Sequence, residues 1–135
     1  MRKLDVIFKT EAEEILGKFN AEIIESELVD SLWELLPITY RICYWGDSLW
    51  QQLTLPTPEN AKWETEVEPG DIVYWPPGQQ FHIYFGSTPA SKSDNPEIYG
   101  SVIKVGKLIE DPKDFENFVR PLPGRTSYIH FRPQA

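Results

Sequence analysis

The sequence has few of the residues that most often build disulfides or metal centres. It contains one cysteine, Cys43, and two histidines, His82 and His130, in 135 residues. A single cysteine excludes an intrachain disulfide, so the composition does not indicate an oxidising compartment. Cys43 lies within a predicted strand, where a buried, inert thiol is expected. No Cys-x-x-Cys or His-x-His spacing occurs, and we therefore expect neither a metal site nor another cofactor.

Basic clusters and long apolar runs are also absent. The net charge is −8, with 13 Lys and Arg residues scattered among 21 Asp and Glu residues. Nucleic acids and anionic membranes bind clustered Lys and Arg, so neither is an expected partner. No apolar stretch approaches the roughly 20 residues of a membrane-spanning helix, and the amino terminus lacks the apolar region of a signal peptide. These features predict a cytoplasmic protein.

The residues that are abundant indicate a small, mainly β protein. Twelve prolines argue against a helical bundle, and 18 aromatic residues (5 Trp, 6 Tyr and 7 Phe) supply large side chains that a barrel can bury. The chain contains about eight or nine strand-like segments and no βαβ alternation. This pattern favours an antiparallel closed barrel, formed by a single domain over residues 1–135.

Two short amphipathic segments predict helices that cover the open ends of this barrel. The first begins at Ser26, a favourable capping residue, and ends before Pro37. Its apolar stripe comprises Leu28, Val29, Leu32, Leu35 and Leu36. The second begins at Asp111-Pro112, and Phe115 and Phe118 are expected to anchor it.

Residues 70–89 form the most informative segment, because turn-forming and strand-forming residues alternate there as a hairpin requires. Pro77-Gly78 is predicted at the centre of a type II turn, with a positive φ at Gly78. On the strand that follows, side chains alternate between two faces. Gln80, His82 and Tyr84 share one face, and the opposite face (Phe81, Ile83 and Phe85) is predicted to belong to the core.

The same segment carries a family resemblance. It reads Gly70-Asp71-Ile72-Val73-Tyr74-Trp75-Pro76-Pro77-Gly78 and then Tyr84-Phe85-Gly86-Ser87-Thr88-Pro89. Together with Trp45-Gly46-Asp47 and Val105-Gly106-Lys107, it resembles a family of small prokaryotic cyclophilin-like proteins that have no established activity. The resemblance implies an eight-stranded antiparallel barrel with helices at its ends.

A fainter similarity to the true cyclophilins suggests site residues. Gly78-Gln79-Gln80-Phe81-His82-Ile83 is similar to their Gly-Ser-Gln-Phe-Phe-Ile strand, and Tyr40-Arg41-Ile42 is similar to the His-Arg-Ile piece that holds their catalytic arginine. The expected ligand-binding residues are Arg41, Gln80, His82 and Tyr84. His82 departs from this pattern, because a phenylalanine of the proline-binding groove stands there in cyclophilins.

Three functions are compatible with these features. The first is a barrel that binds a small molecule or short peptide in a groove on its outer face. The second is a peptidyl-prolyl isomerase, which needs Arg41 over an apolar pocket. The third is a subunit of an amide-hydrolysing enzyme, since cyclophilin-like domains occur beside such machinery. That alternative predicts an exposed apolar patch for a protein partner or a second copy, including Trp33, Trp50 or Trp63.

Overall fold

In the computed structural model, which describes residues 2–135, ten strands form one antiparallel sheet. The strands are β1 (Arg2–Thr10), β2 (Ile15–Ile23), β3 (Ile38–Arg41), β4 (Cys43–Tyr44), β5 (Ser48–Gln52), β6 (Trp63–Glu64), β7 (Asp71–Trp75), β8 (Gln80–Tyr84), β9 (Val102–Leu108) and β10 (Ser127–Pro133). Eight of them have four residues or more, whereas β4 and β6 have two. The predicted mainly β architecture with eight principal strands is confirmed.

The sheet nearly closes into a barrel. Its strand order is β3-β10-β1-β2-β9-β7-β8-β5-β4, with β6 paired to β9. The first and last strands of this order are separated in the chain only by Ile42. Ile42 is buried, and its N–H donates to the Ser127 carbonyl at 3.1 Å. The strand that was predicted to contain Cys43 therefore breaks at Ile42, which joins the two edges of the sheet.

Alternate side chains of the strands fill the barrel interior. On β1 the inward residues Leu4, Val6 and Phe8 are fully buried, because alternate side chains of a strand lie on the same face. Their principal partners in the core are Ala21, Ile23, Leu49, Ile72, Tyr74, Phe81, Ile83, Val105, Ile129 and Phe131. Burial of this continuous apolar surface is the main favourable contribution to folding.

Helix α1 (Glu27–Leu35) packs on the core as its sequence predicts. The Ser26 hydroxyl accepts a hydrogen bond from the Val29 N–H at 3.1 Å and thereby satisfies one of the free donors of the first turn. Leu28, Val29 and Leu32 are buried. Leu35, the next member of the predicted stripe, is 45% exposed, because the buried face of the helix ends one turn earlier.

Helix α2 (Pro112–Val119) carries aromatic side chains into the same core. Asp111 caps it by accepting from the Lys113 N–H at 2.9 Å. Phe115 lies 4.9 Å from Phe19 between ring centroids, and Phe118 lies 5.4 Å from the same ring. Both anchoring phenylalanines are thus confirmed. No helix of the described residues is long and apolar enough to cross a membrane.

The turn between β7 and β8 differs from the predicted one. Pro76–Gly78 forms one turn of 3₁₀ helix, and the positive φ of 52° belongs to Gln79. The type II turn with a positive φ at Gly78 is therefore wrong. Gly78 is required for a steric reason instead: a Cβ atom there would lie 2.3 Å from the Trp75 ring. The glycine allows the indole to lie directly against the turn.

Candidate functional site

Strand β8 separates two buried environments. Phe81 and Ile83 face the barrel core. His82 and Tyr84, on the outer face, are also buried, with 4% and 1% of their surfaces exposed. Tyr84 belongs to a separate outer cluster with Val67, Val73 and Val102, against which Trp45, Trp75 and Ile98 pack. A second apolar layer therefore covers the sheet where solvent would ordinarily lie.

This outer layer borders a half-open cavity of about 270 Å³, called the aromatic cavity below. Five of its nine lining residues are Trp or Tyr, and Asp, Glu, Lys and Arg do not occur among them. The lining consists of Trp45, Trp50, Trp75, Gln80, His82, Tyr84, Ile98, Tyr99 and Val102. Concave, mainly apolar surfaces with a few polar groups are the usual form of small-molecule sites.

Strand pairing places two indole rings on opposite sides of the cavity. β8 lies between β5 and β7. Trp50 of β5 is opposite His82, and Trp75 of β7 is opposite Gln80. Because neighbouring strands are about 4.8 Å apart and the two pairs are offset by two residues along β8, the Cα atoms of the two tryptophans are separated by roughly 12 Å. Gln80 and His82 form the floor between them.

The third tryptophan is held by a turn that docks against the end of β8. The Asp47 N–H donates to the Ser87 carbonyl at 2.7 Å, and the Phe85 N–H donates to the Asp47 carbonyl at 2.9 Å. A Cβ atom at Gly86 would lie 2.4 Å from the Asp47 carboxylate, so only glycine permits this approach. The contact fixes Trp45, whose ring lies 6.0 Å from that of His82 at an angle of 76°. The Trp-Gly-Asp and Tyr-Phe-Gly-Ser-Thr-Pro motifs thus meet at the site.

The loop over residues 86–101 brings Tyr99 to the cavity. Hydrogen bonds within the loop hold its shape, including Ser91 Oγ to the Asn95 carbonyl at 2.7 Å. The Tyr99 hydroxyl donates to the Pro89 carbonyl at 3.4 Å, and the Tyr99 ring lies 5.9 Å from Trp45 at 61°. Tyr99 is 63% exposed. It therefore forms the outermost wall of the aromatic cavity.

His82 is fixed in one neutral form by two hydrogen bonds. Its Nε2 lies 2.9 Å from Gln80 Oε1, and its Nδ1 lies 2.7 Å from Ser48 Oγ. An amide oxygen can only accept, so Nε2 carries the proton and Nδ1 accepts from the Ser48 hydroxyl. Burial lowers the pKa of His82 to about 4. The ring is therefore uncharged at neutral pH, and it stacks on Tyr84 with centroids 5.4 Å apart.

The Ser48–His82 pair does not have the features of a nucleophile and its base. Ser48 is completely buried and does not line the aromatic cavity. A nucleophilic hydroxyl must reach the substrate, and its base must accept a proton near neutral pH. With a pKa of about 4, His82 is a weak base. The pair instead orients the imidazole, and the arrangement is suited to binding.

Tyr84, like His82, is held in its neutral form by burial. Burial, and to a smaller extent the charge of Asp71, raises the pKa of Tyr84. The phenol therefore stays protonated throughout the physiological range. Asp71 itself is paired with Lys104 at 3.4 Å.

Arg41 lies apart from the other three expected site residues. It is exposed on β3, where its Nη2 donates to the Tyr128 hydroxyl at 3.0 Å. Its guanidinium carbon lies 5.5 Å from the centre of the Tyr128 ring. Gln80, His82 and Tyr84 come together in the aromatic cavity, but Arg41 does not line it.

The tryptophans singled out in the sequence lie on three different elements. Trp33 of α1 packs beside the core, with the Arg2 guanidinium 5.3 Å from its ring centre. Trp63 of β6 is 48% exposed. Trp50 is a wall of the aromatic cavity instead of part of a surface patch.

Sequence reasoning did not identify Trp45, Trp75 and Tyr99 as site residues. The first two lie within the motifs that carry the family resemblance, so the sequence contained a signal for them. Tyr99 follows a polar loop without regular periodicity, and only the folded loop places it beside Trp45.

The remaining candidates for metal or thiol chemistry are dispersed. His130 lies on β10, with its Nδ1 2.6 Å from Thr39 Oγ1. Over residues 2–135, no three His, Cys, Asp or Glu side chains are grouped closely enough to hold a metal ion. Cys43 is exposed, contrary to the buried thiol expected, because β4 has only two residues and lies at the end of the strand order.

Comparison with known proteins supports the fold. The structure is similar to the solution structure of a hypothetical protein from Archaeoglobus fulgidus, with a TM-score of 0.67 and 23% sequence identity over 98% of this chain and 95% of that chain. At this identity, the likeness shows a shared fold. A search of curated proteins found no match. The family model described as cyclophilin-like matches residues 3–121. The chain therefore belongs to the cyclophilin-like family.

Proposed function

We propose that this protein binds a small molecule in the aromatic cavity. The observation that carries the proposal is the combination of aromatic walls with a fixed, uncharged polar floor. Ligand sites commonly join apolar walls to a small number of oriented polar groups. A solvent-facing sheet surface would need neither the tryptophans nor the buried His82.

The chemistry of the lining restricts the ligand. No Lys or Arg lines the cavity, and His82 is neutral, so no positive side chain is present to pair with a carboxylate or phosphate. Gln80 Oε1 is occupied by His82, whereas no described partner accepts from the Gln80 amide nitrogen. This nitrogen is a donor for a carbonyl or hydroxyl of the ligand.

The affinity would come mainly from apolar contact. Burying 150 Å² of ligand surface contributes about 4 kcal/mol at 25 cal/mol per Å². Indole rings also offer flat faces for stacking and close packing. A compact ligand with a hydrogen-bond acceptor matches these walls and the Gln80 amide donor.

The two alternative functions receive less support. A prolyl isomerase would need an arginine directed at the bound amide, but Arg41 is hydrogen-bonded to Tyr128 outside the cavity. A subunit role would need a continuous apolar surface, and Trp33, Trp50 and Trp63 lie on separate elements.

The test is a thermal-shift and tryptophan-fluorescence screen with small amides, cyclic ketones and alcohols. We expect some of these probes to raise Tm and to change the fluorescence. Trp50→Leu should abolish both effects, whereas Trp63→Leu, which changes an indole outside the cavity, should retain them. A screen without a binder, or binding that survives in Trp50→Leu, would contradict the proposal.

A further inference from the structure

The aromatic cavity has a negative electrostatic character, although no ionised side chain lines it. Tryptophan and tyrosine rings present negative faces, and five such residues surround the space. Asp71 is close enough to Tyr84 for its charge to contribute to the raised pKa of that phenol, although Lys104 pairs with Asp71 at 3.4 Å, so the ring faces are the main source of this character. The chain as a whole carries a net charge of −8. Such surroundings favour a cation over an anion or a neutral ligand.

The hydrogen-bonding groups of the lining favour a quaternary ammonium over a primary one. A primary ammonium has three donors that need acceptors when water is removed. In the lining, Gln80 Oε1 already accepts from His82 Nε2, and His82 Nδ1 accepts from Ser48. The indole N–H groups and the Gln80 amide nitrogen are donors, which leaves the Tyr84 and Tyr99 phenol oxygens as acceptors, fewer than the three that a primary ammonium needs. A quaternary ammonium, which has no N–H to satisfy, fits this shortage of acceptors.

The directions of the rings suit a compact, nearly spherical group. Trp45 is steeply inclined to both His82, at 76°, and Tyr99, at 61°. Trp50 and Trp75 stand on the two strands that flank β8. The walls therefore surround a central group from several sides, whereas two parallel rings would favour a flat ligand.

We propose that the aromatic cavity binds a quaternary ammonium group of a small organic cation, an inference that rests on the small-molecule role proposed above. The methyl groups contact the faces of the tryptophans. A hydroxyl or carbonyl elsewhere on the same molecule accepts from the Gln80 amide. The positive charge is stabilised by cation–π attraction, to which Trp contributes more than Phe.

The test compares choline with 3,3-dimethylbutan-1-ol, which has the same shape but a carbon in place of the charged nitrogen. Both are titrated against the full chain by isothermal calorimetry and tryptophan fluorescence. We expect choline to bind at least tenfold more tightly, which corresponds to about 1.4 kcal/mol. Ethanolamine, a primary ammonium of the same chain length, should bind more weakly than choline.

Substitutions of Trp50 test whether choline binds in the aromatic cavity. Trp50→Phe should weaken choline binding several-fold, and Trp50→Leu should abolish it. Trp63→Leu, outside the cavity, should leave it unchanged. Circular dichroism spectra and melting curves like those of the parent identify the variants that remain folded. If Trp50→Leu unfolds, the Trp50→Phe titration still tests the proposal.

The outcomes separate this inference from the proposed function. Equal affinity for choline and its uncharged isostere, both lost in Trp50→Leu, would overturn the cation inference and leave the small-molecule role intact. Binding of uncharged probes without binding of choline would also overturn the cation inference and leave the small-molecule role intact. Failure of every probe, charged or uncharged, would contradict both proposals.

Discussion

The two faces of β8 are both buried, but by different parts of the molecule. Phe81 and Ile83 are enclosed by the barrel, where strands from all parts of the chain contribute. His82 and Tyr84 are covered by Trp45, by neighbouring tryptophans and by the loop over residues 86–101. The inner face is apolar, whereas the outer face combines rings with polar groups that are hydrogen-bonded to one another.

This difference shows that side chains on the two faces of β8 are buried for different reasons. In the core, it reflects close packing, which supplies stability. On the outer face, it reflects an aromatic layer that borders about 270 Å³ of half-open space beside the buried rings. A protein that needed only a stable barrel would have polar side chains on this face, so the aromatic cavity is where function is expected.

The largest predicted difference between the faces concerns stability. Phe81→Ala should lower the free energy of unfolding by about 3–5 kcal/mol, because it opens a cavity in the packed core. Trp50→Leu should cost only about 1 kcal/mol, since this side chain borders an existing space. Urea denaturation of both variants measures the two values. Equal losses would show that the outer layer is as tightly packed as the core.

The second prediction concerns the pH dependence of stability. His82 has a pKa of about 4 in the fold and about 6.5 when unfolded, so the unfolded chain binds the proton first as the pH falls. Stability should therefore decrease between pH 6.5 and pH 4, by about 3 kcal/mol from this residue. The measurement is the difference between the urea-unfolding curves of the parent and His82→Gln at each pH.

His130→Gln is the matched control for this prediction. His130 is only half-buried, and burial together with neighbouring Lys9 and Arg132 lowers its pKa. We expect His130→Gln to show the same loss of stability from His82 between pH 6.5 and pH 4 as the parent. A parent and a His82→Gln variant with parallel profiles from pH 7 to pH 4 would contradict the neutral, buried imidazole.

The third prediction concerns the turn that supports Trp75. Gly78→Ala should destabilise the protein by about 1–3 kcal/mol, because the added methyl group would overlap the indole ring. The displaced ring should also change the tryptophan fluorescence. Gly124→Ala is the control, since its nearest atom would be 3.7 Å away, in ordinary contact. Unchanged stability and fluorescence in Gly78→Ala would refute the steric role of this glycine.

The smallest predicted effect concerns Arg41. Arg41→Ala should change stability by less than about 1 kcal/mol, because its contact with Tyr128 is exposed. It should leave ligand affinity in the aromatic cavity unchanged, whereas Gln80→Ala should weaken it. The same fluorescence titration measures both variants. A loss in Arg41→Ala equal to that in Gln80→Ala would place the arginine in the binding site.

Local patterns predicted the elements of this fold well. Alternation on β8 identified the inward residues, and Ser26 and Asp111 identified the helix starts, because these features depend on neighbours in sequence. The turn at Pro76–Gly78 was not predicted correctly. Its geometry is coupled to the Trp75 ring, and a side-chain contact of this kind does not follow from the turn residues alone.

The candidate site was predicted in part. The period of β8 placed Gln80, His82 and Tyr84 on one face, and the structure brings them to the aromatic cavity. Arg41 was expected in the site because of a similarity on a different strand. Whether that strand lies near β8 depends on how the edges of the barrel meet, which the sequence does not show. Cys43 was expected to be buried for a similar reason, since the sequence does not show that its strand is interrupted at Ile42.

By itself, the sequence determined the mainly β class, the two capped helices, the family and the common face of Gln80, His82 and Tyr84. These properties depend on residue periods, capping side chains and contiguous motifs. Only the tertiary structure decided that Trp45, Trp50, Trp75 and Tyr99 would surround that face. The four residues are separated by up to 54 positions, and strand pairing and loop docking bring them together. Their meeting is a property of the nearly closed sheet, which no single segment specifies.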